Sequence, residues 1–437
     1  MERLLHYVWQ HRLYRQDELK TTGGQRVEVL SPGVHNDDAG PDFLQAQIKI
    51  GETLWAGNVE IHLSSSDWDA HRHTQDPAYN NVVLHVVSHA DREVKTCGGR
   101  QLPQLVIEVP EHVKLNYQEL LREEKFPPCY RNAPQLPQLV RRGWLDALCA
   151  ERLEQKTERL LHLAERLNDD WEHVMFASLA RGFGFGVNSD AFERWACALS
   201  LDDAACHRDN ALLTEALFFG LAGLLDDGAH RLHGHEEALA DEYYLRLCTE
   251  FRSLGYEFTL YPIPYEEWRF LRLRPQNFPY VRLSQLSQLF CSWRATLSNL
   301  RQAETLEGLR ECLQTDCSPY WQEHYTFGRA CKKSTHRLSA ASIDSLIINA
   351  VIPMLFAYGK RFVHPEYSQR ALKLLSEIKP ENNSLTKRWK EVGLEAASAA
   401  DTQALIYLRK RYCDRRDCLK CRFGFEYLKK TGVYPFV

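Results

Sequence analysis

The sequence has no excess of positive charge and no apolar run close to the length of a membrane span. Its formal net charge is −4 at pH 7, so no global basic field indicates a nucleic-acid partner, although a local basic groove is compatible with that total. A bilayer-spanning helix needs about 20 apolar residues, and the N-terminal stretch MERLLHYVWQHRLYRQ lacks even the apolar centre of a signal peptide. These absences predict a cytoplasmic protein without a membrane partner and leave its oligomeric state open.

Internal repeats and low-complexity tracts are also absent, and the number of cysteines is odd. Thirteen cysteines are many for a reducing compartment, but most stand alone in apolar helical stretches, as Cys149 and Cys248 do. Isolated thiols of this kind are typical of small buried hydrophobic residues rather than of a disulfide framework. Only the cysteines near the C-terminus have the spacing of ligands.

The composition is that of a soluble globular protein, with 437 residues of which 44% are hydrophobic and 26% charged. A chain of this length accommodates two or three domains with their own cores. The patterns predict an α+β architecture, in which an N-terminal mixed-sheet α/β domain carries a metal site and a large, mainly helical region follows. The predicted domains are residues 1–130, a helical domain over 131–310, and a helical C-terminal region with a cysteine motif over 311–437.

The N-terminal region alternates between helical and strand-like patterns. Residues 43–51 alternate apolar and polar positions like a half-buried strand, Gly51-Glu52 suits a tight turn, and residues 53–63 are the next predicted strand. Residues 79–89 form an apolar, β-branched run that is typical of a central strand. The complete predicted order is a helix over 2–16, strands over 26–33, 43–51, 53–63 and 79–89 with a short capped helix before the last strand, and a hairpin over 93–109.

Helical periodicity dominates the rest of the chain. Residues 144–167 form a clear amphipathic pattern, and residues 346–360 predict an apolar helix with a kink at Pro353. The segment FPPCYRN at 126–132 marks the boundary between the two kinds of pattern.

Asp42, Glu60 and His62 lie on the two strands of the predicted hairpin. Alternate residues of a strand share a face, so Glu60 and His62 point the same way, and Asp42 at the start of the partner strand reaches the same place. Two carboxylates and a backbone carbonyl form a set of hard oxygen ligands that suits Mg²⁺ or Mn²⁺. Such an ion favours phosphodiester hydrolysis, and a polar group two residues past the glutamate can orient or deprotonate the attacking water. The alternative is a polar rim on a structural sheet.

This region resembles the core of the PD-(D/E)xK nuclease superfamily. The resemblance lies in the Pro41-Asp42 pair, in Glu60-Ile61-His62, and in the order of helix, three strands, helix and strand around them. It implies metal ligation by Asp42 and Glu60, and it places His62 where these nucleases usually have lysine. Histidine titrates near pH ~6.5 whereas lysine keeps its charge, so this departure is compatible with a softer metal or with an inactive site.

Other histidines and carboxylates crowd residues 35–85. His62, His71 and His73 offer the donors of a zinc or iron site, and Asp76 follows closely. Residues two apart on a helix do not share a face, so the pair at 71 and 73 can chelate only from a loop. His85 lies within the apolar stretch VVLHVV and fits a buried core histidine better than a ligand. The residues predicted to support the site are His35, Asp38, Asp67, His71 and His73.

Three cysteines in the stretch YCDRRDCLKCRFG follow the spacing C-x₄-C-x₂-C. Thiols so close in sequence can converge on one tetrahedral metal ion or on an iron–sulfur cluster. A fourth ligand has to come from elsewhere, and we expect it from the boundary segment. Some PD-(D/E)xK nucleases are similar in joining a C-terminal cysteine triplet to one upstream cysteine through an iron–sulfur cluster, with a different spacing; zinc and three unrelated thiols are the alternatives. The predicted ligands are Cys129, Cys413, Cys418 and Cys421.

Residues 265–283, YEEWRFLRLRPQNFPYVRL, interleave arginines with aromatic residues. Guanidinium groups bind phosphates in a bidentate manner, and aromatic rings stack on bases. The functional interpretation is a surface that guides a DNA or RNA strand, and the structural one is an interdomain turn fixed by Pro275 and Pro279. The arginines concerned are Arg269, Arg272, Arg274 and Arg282.

Short stretches across the chain resemble an uncharacterised bacterial family, domain of unknown function 2851. They are HNDDAGPDF, GNVEIHLSSSDWDAHRH, YNNVVLHVV, RLRPQNFP, LIINAVIPMLFAYG and YCDRRDCLKC. The resemblance covers nearly the whole chain and implies no known activity. The leading prediction is metal-dependent hydrolysis of DNA or RNA by Asp42, Glu60 and His62. The alternatives are a non-catalytic nucleic-acid or protein-binding module with a structural metal site, and a zinc or iron hydrolase that uses the histidines on a small molecule.

Overall fold

The computed structural model describes residues 1–431. The chain forms two compact units, of which the first contains Met1–Arg141 with the described part of Leu408–Val437, and the second is Arg142–Tyr407. The architecture is α+β, with a mixed sheet at the N-terminus followed by a mainly helical region, as predicted. The division differs from the three predicted domains, because the C-terminal segment with the cysteines is part of the first unit and, within the described residues, no boundary falls near residue 310.

The first unit is built on a mixed sheet. Its elements in chain order are α1 (Glu2–Gln10), β1 (Val27–Ser31), β2 (Val34–His35), β3 (Phe43–Ile50), β4 (Thr53–Ser64), α2 (Asp67–Ala70), β5 (Val82–His89), β6 (Gln104–Val106) and α3 (Glu111–Arg122). The sheet order is β1-β3-β4-β5-β6, with β2 paired to β3. β1, β3 and β4 pair antiparallel, whereas β5 is parallel to β4 and β6 to β5. The hairpin predicted over 93–109 is one antiparallel bridge between Lys95 and Gln101, after which the chain enters β6.

The sequence patterns of the long strands explain their bounds. Ile50 pairs with Thr53 across a two-residue turn in which Gly51 takes a φ of +59°, a conformation that glycine adopts without steric cost. β5 is buried from Val82 to Val87, as expected for a strand with neighbours on both sides. It begins three residues later than predicted, because Pro77–Asn81 form a 3₁₀ turn before it.

Helix α1 packs its apolar face into the core of the unit. Leu5, Val8 and Trp9 are fully buried, and the Trp9 indole donates a hydrogen bond to Pro32 O at 3.0 Å. The helix ends at Gln10 rather than at residue 16, because Arg12 takes a left-handed φ of +51°. The side chain of Arg12 then donates to the carbonyl oxygen of residue 30 at 2.6 Å, which fixes this early turn.

The remaining elements are helical apart from one small hairpin. They are α4 (Gln138–Arg166), α5 (Trp171–Phe183), α6 (Ser189–Ala198), α7 (Leu201–Cys206), α8 (Ala211–Leu221), α9 (Asp227–Leu232), α10 (Glu242–Glu257), α11 (Pro279–Cys291), α12 (Leu297–Gln302), α13 (Leu306–Leu313), β7 (His324–Thr326), β8 (Arg329–Ala330), α14 (Ala340–Leu346), α15 (Ile352–Arg361), α16 (Pro365–Glu377), α17 (Ser384–Glu391), α18 (Ala399–Leu408) and α19 (Arg422–Leu428). The predicted helix over 144–167 is the larger part of α4. In the core of the second unit, the ring of Phe218 lies 4.9 Å from Trp195 and 5.5 Å from Phe290.

One helical stretch is long and apolar enough to cross a bilayer, which the sequence analysis did not predict. Ala340–Arg361 has a mean hydropathy of 1.8 over its most apolar window, and 67% of that window is buried inside the structure. A core helix of a folded unit has the same properties. Pro353 lies inside this continuous stretch, where it lacks the N–H that would bond the preceding turn, and a π-helical turn at Ile347–Val351 directly precedes α15.

Asn116 of α3 holds the C-terminal segment of the first unit. Its buried Nδ2 donates to the carbonyl oxygens of Tyr427, Leu428 and Lys430 at 3.2, 3.3 and 3.0 Å. Carbonyls at the end of a helix have no partner within that helix. We therefore expect Asn116→Ala to lower the free energy of unfolding by about 1–3 kcal/mol, because buried acceptors lose their donor.

Urea denaturation of the full chain, followed by tryptophan fluorescence, measures this loss. Gln118→Ala on the same helix is the matched control, and we expect it to change stability by less than ~0.5 kcal/mol. Equal denaturation midpoints for Asn116→Ala and the wild type would contradict the anchoring role of this amide.

Candidate metal centre

The carboxylates of Asp42 and Glu60 each accept a backbone N–H from the neighbouring strand segment. Ile61 N donates to Asp42 Oδ2 at 2.9 Å, and Asp42 N donates to Glu60 Oε2 at 3.1 Å. Phe43 pairs with Val59 in the same register, so the start of β3 lies opposite the middle of β4. The strand pairing therefore brings together the two acids that the sequence analysis placed at the site.

Three imidazoles lie next to Glu60. The potential ligand nitrogens of His62, His71 and His73 all lie within 4.8 Å of one another, and among residues 1–431 this is the one group of three such donors so closely spaced. His62 Nε2 is 3.1 Å from His71 Nδ1. Glu60 Oε1 is 3.2 Å from His73 Nε2 and 3.5 Å from His62 Nε2. The centre is thus richer in nitrogen than the sequence analysis expected.

The backbone at Arg72 explains how two histidines so close in sequence converge. His71 follows the end of α2, His73 begins a 3₁₀ turn, and Arg72 between them takes a left-handed φ of +65°. On a continuous helix these two rings would point to different faces. Because His71 and His73 lie in a loop here, both rings can face the same metal ion. His71 is exposed, whereas His73 is buried.

His6 reaches the same place from α1. Its Nε2 lies 3.5 Å from Asp42 Oδ2, and its side chain is only 15% exposed. The sequence analysis missed this residue, because it sits among the apolar positions of a helix and its approach depends on how α1 packs. We call the following residues the imidazole–carboxylate cluster: His6, Asp42, Glu60, His62, His71 and His73.

Burial shifts the pKa values in the cluster away from the charged forms. It raises the pKa of Asp42 to about 6, and it raises the pKa of Glu60, an effect to which the nearby Asp42 carboxylate adds. Burial also lowers the pKa of His62 to about 2, and the neighbouring imidazoles add to that shift. Neutral imidazole is the form that binds metal ions. A cation between the two buried carboxylates would relieve their mutual repulsion.

Two buried nitrogens in the cluster have a carboxylate as their near partner. His6 Nε2 lies 3.5 Å from Asp42 Oδ2 and His73 Nε2 lies 3.2 Å from Glu60 Oε1, and neither contact has the geometry of a regular hydrogen bond. His62 is held from its other edge, because its Nδ1 lies 3.0 Å from Nε2 of the fully buried His85. Burial lowers the pKa of His85 to about 4, so it supports His62 as a neutral core histidine. These donors fit a metal ion.

The other acids and histidines predicted near the site have different contacts. The Asp67 carboxylate accepts a backbone hydrogen bond at 3.0 Å at the start of α2, and Asp76 caps the 3₁₀ turn before β5. The ring of His35 lies beside that of His6, with centroids 5.8 Å apart. Asp38 is exposed in the loop before β3. These four residues lie around the cluster, but none of them adds a ligand atom to the group formed by His62, His71 and His73.

The arginines predicted to bind nucleic acid do not share one surface. The side chain of Arg282 is 5% exposed and donates to Gln285 Oε1 at 2.7 Å, and burial lowers its pKa to about 10. This burial excludes the surface contact that the sequence analysis assigned to it, and the residue instead fixes the interior of the second unit. Arg269, Arg272 and Arg274 are exposed.

Four cysteines of the first unit come together. Burial raises the pKa values of Cys129 and Cys413 well above the usual range and that of Cys418 to about 12, and each thiol in the set interacts electrostatically with every other. Cys421 directly precedes α19, and a Cβ at Gly424 would overlap the carbonyl of Cys418, so this helix packs directly on the cysteine-bearing backbone. Within residues 1–431, no disulfide joins these cysteines.

Comparison with known proteins gives one match. A family model described as Protein of unknown function (DUF2851) matches residues 2–384. No curated protein and no solved structure matches the chain. The matched residues include the whole imidazole–carboxylate cluster and Cys129, and they end before the other three cysteines. Since the match covers most of the sequence, the chain belongs to the DUF2851 family.

Proposed function

We propose that the imidazole–carboxylate cluster binds a transition-metal ion and hydrolyses phosphodiester bonds in DNA or RNA. The observation that carries this proposal is the position of Asp42, directly before β3, next to Glu60 on the antiparallel β4, with three imidazoles beside them. The surrounding topology supports it: a helix, antiparallel β1, β3 and β4, a short helix, and β5 parallel to β4 follow the order of the PD-(D/E)xK core. The partner would then be a nucleic acid, encountered in the cytoplasm.

Two carboxylates alone would favour Mg²⁺. The imidazole nitrogens beside them favour a transition-metal ion instead. Imidazole suits Zn²⁺ and Fe²⁺, and carboxylate suits Mn²⁺ and Mg²⁺, so the mixed set favours Mn²⁺, Fe²⁺ or Zn²⁺. Glu60, His62 and His73 would hold the ion, with Asp42 at its side. When bound, it supplies positive charge for the phosphodiester transition state and increases the acidity of a nearby water.

The two histidines at the centre differ in their access to solvent, and this divides their roles. His62 is 2% exposed and cannot exchange protons with bulk water, so it acts as a ligand that His85 orients. His71 is exposed and lies next to it. His71 is therefore the group that takes the proton from attacking water and passes it to solvent, a role that the sequence analysis gave to His62.

The three imidazoles favour one second function, which is zinc- or iron-dependent hydrolysis of a small molecule. In this function His71 would join His62 and His73 as a third nitrogen ligand, because three nitrogen donors are a common ligand set of hydrolytic zinc sites. The two functions therefore differ in substrate and in whether His71 binds the ion or accepts a proton.

The test measures bound metal and cleavage in the wild type and in Asp42→Asn. The amide keeps the size of the carboxylate and removes its charge, so we expect an intact fold and a loss of metal-stimulated cleavage of about 100-fold or more. Single- and double-stranded DNA and RNA are the substrates, with Mn²⁺, Fe²⁺, Zn²⁺ or Mg²⁺ added to chelator-treated protein. His89→Ala, a histidine exposed at the end of β5, is the matched control and should cleave as the wild type does.

Wild-type cleavage rates in Asp42→Asn would remove the nuclease proposal. Metal binding that depends on Asp42, together with hydrolysis of small phosphate or carboxylate esters and of no nucleic acid, would favour the second function. Absence of any metal bound by the wild type would remove both.

We also propose that Cys129, Cys413, Cys418 and Cys421 hold zinc or an iron–sulfur cluster. Burial raises the pKa values of these thiols and the neighbouring thiols add to the effect, so a bound cation would be what favours their ionised forms. Four thiolates suit either tetrahedral zinc or an iron–sulfur cluster.

A further inference from the structure

A groove lies beside the imidazole–carboxylate cluster in the first unit. Its volume is about 700 Å³, within the ~300–1,000 Å³ of typical ligand sites. We call it the amide groove, after the side chains that dominate its lining. That lining includes Gln45, Gln47, Trp55, Asn58, Asn80 and Arg100.

The strands that carry the two acids also carry the groove. Asp42 directly precedes β3 and Gln45 lies within it, while Asn58 and Glu60 are alternate residues of β4. Gln45 takes a left-handed φ of +58°, and its N–H donates to Asn58 Oδ1 at 3.3 Å. This irregularity in β3 leaves the Gln45 side chain exposed. Asn58 of the groove therefore shares a face of β4 with Glu60 of the cluster, two residues away.

A third element also joins groove and cluster. In the 3₁₀ turn Pro77–Asn81, the ring of Tyr79 stacks on His73 with centroids 3.7 Å apart, and the next residue, Asn80, lines the groove. Arg100 donates to Asn80 O at 3.2 Å and lies 5.8 Å above the ring of Trp55. A ligand in the groove would thus extend directly to the cluster.

The lining has the chemistry of a site for nucleobases. Glutamine amides such as those of Gln45 and Gln47 offer one donor group and one acceptor side by side, which matches the edges of bases. The Oδ1 atoms of Asn58 and Asn80 already accept backbone hydrogen bonds, so these two side chains offer mainly their Nδ2 donors. Trp55 is half-buried beside them and offers a ring on which a base can stack. Arg100 is the one charged residue among the ten that line the groove, so the site favours a neutral or anionic ligand. These properties describe a nucleotide better than a cationic peptide.

We propose that the amide groove binds unpaired bases of a single-stranded nucleic acid next to the phosphate that the cluster cleaves. Amides inside a concave groove reach the pairing edges of bases, and in a duplex those edges are already paired. The inference rests on the proposed nuclease function for the position of the phosphate, whereas base binding itself can be measured without any cleavage.

The test is fluorescence anisotropy of the full chain with a labelled single-stranded oligonucleotide and with its duplex, in the presence of a chelator. We expect the wild type to prefer the single strand, and Trp55→Ala to weaken single-strand binding at least tenfold because stacking is lost. Trp55→Phe keeps a stacking ring and should retain most of the affinity. Leu121→Ala is the matched control, since Leu121 is a 44% exposed apolar residue of α3 in the same unit and does not line the groove.

The outcomes separate this inference from the proposed function. Unchanged single-strand affinity in Trp55→Ala, equal affinity for the duplex, or an equal loss in Trp55→Phe would overturn the amide groove as a base site. Trp55-dependent single-strand binding without cleavage by the metal-loaded wild type would keep the groove and remove the nuclease proposal.

Discussion

For the nuclease proposed above, we expect His62→Lys to lose the metal ion and to cleave nucleic acid roughly 1,000-fold more slowly than the wild type. PD-(D/E)xK nucleases usually have lysine at this position, so the substitution restores their motif, but here the lysine would be surrounded by imidazoles. His62 Nε2 lies 3.1 Å from His71 Nδ1 and 3.5 Å from Glu60 Oε1. A buried ammonium group among imidazoles would remove one donor and repel the ion that the others bind.

Elemental analysis and cleavage rates in Mn²⁺ and in Mg²⁺ measure this effect. His62→Gln is the matched control, because it removes the imidazole without adding charge and so separates the loss of a donor from repulsion. If His62→Lys cleaved in Mg²⁺ as fast as the wild type, His62 would stand in for lysine beside the attacking water, and the three imidazoles would not form the metal site.

The carboxylate pair could be predicted from the sequence because its geometry is local. Gly51 and Glu52 fix a two-residue turn between β3 and β4, and the turn fixes which residues face one another. Continued without a break, this register would pair Asp42 with Ile61, on the face opposite Glu60. The irregularity at Gln45 shifts the pairing by one residue, so that Phe43 pairs with Val59 and Asp42 comes to lie beside Glu60. The sequence therefore predicts that the two acids are neighbours, whereas their common face depends on this irregularity.

The nitrogen donors could be predicted only in part, because they depend on tertiary packing. Residues two apart on a helix point to different faces, but His71 and His73 lie after the end of α2 and are not on a helix together. Arg72 between them takes a left-handed conformation, and nothing in the sequence predicts that conformation for an arginine. His6 lies in a helix that was predicted, but the face that α1 turns toward Asp42 depends on packing with the sheet.

The return of the C-terminal segment to the first unit was the largest feature that local patterns did not predict. Asn116 and Tyr427 are 311 residues apart in the sequence and are joined by a hydrogen bond. Helical periodicity near residue 425 gives no indication of its partner. The cysteine spacing did point to the contact, since a shared ligand set requires that Cys129 and the C-terminal cysteines lie close together.

Cys418→Ser is expected to lose the metal ion or cluster that we propose for the four cysteines and to destabilise the first unit by several kcal/mol, because structural metal sites contribute directly to folding. The effect should reach the imidazole–carboxylate cluster as well. Phe425 of α19 packs against His11 and Tyr7 at the end of α1, with ring centroids 4.6 and 6.3 Å apart, and His6 is the neighbour of Tyr7. Loosening α19 therefore displaces a side chain of the proposed active site, and cleavage should fall together with stability.

Iron, sulfide and zinc contents of protein purified without oxygen, with a visible absorbance spectrum and urea denaturation, measure this prediction. Cys97→Ser is the matched control, since Cys97 is exposed in the same unit. Loss of iron and sulfide in Cys418→Ser would identify a cluster, and loss of zinc a tetrahedral site. If neither group depended on Cys418 and stability were unchanged, the four thiols would be buried hydrophobic residues, and Asn116 would hold the C-terminal segment without a metal. The cleavage assay is run on the same samples. It therefore also shows whether loss of the group proposed at the cysteines lowers the cleavage rate proposed for the imidazole–carboxylate cluster.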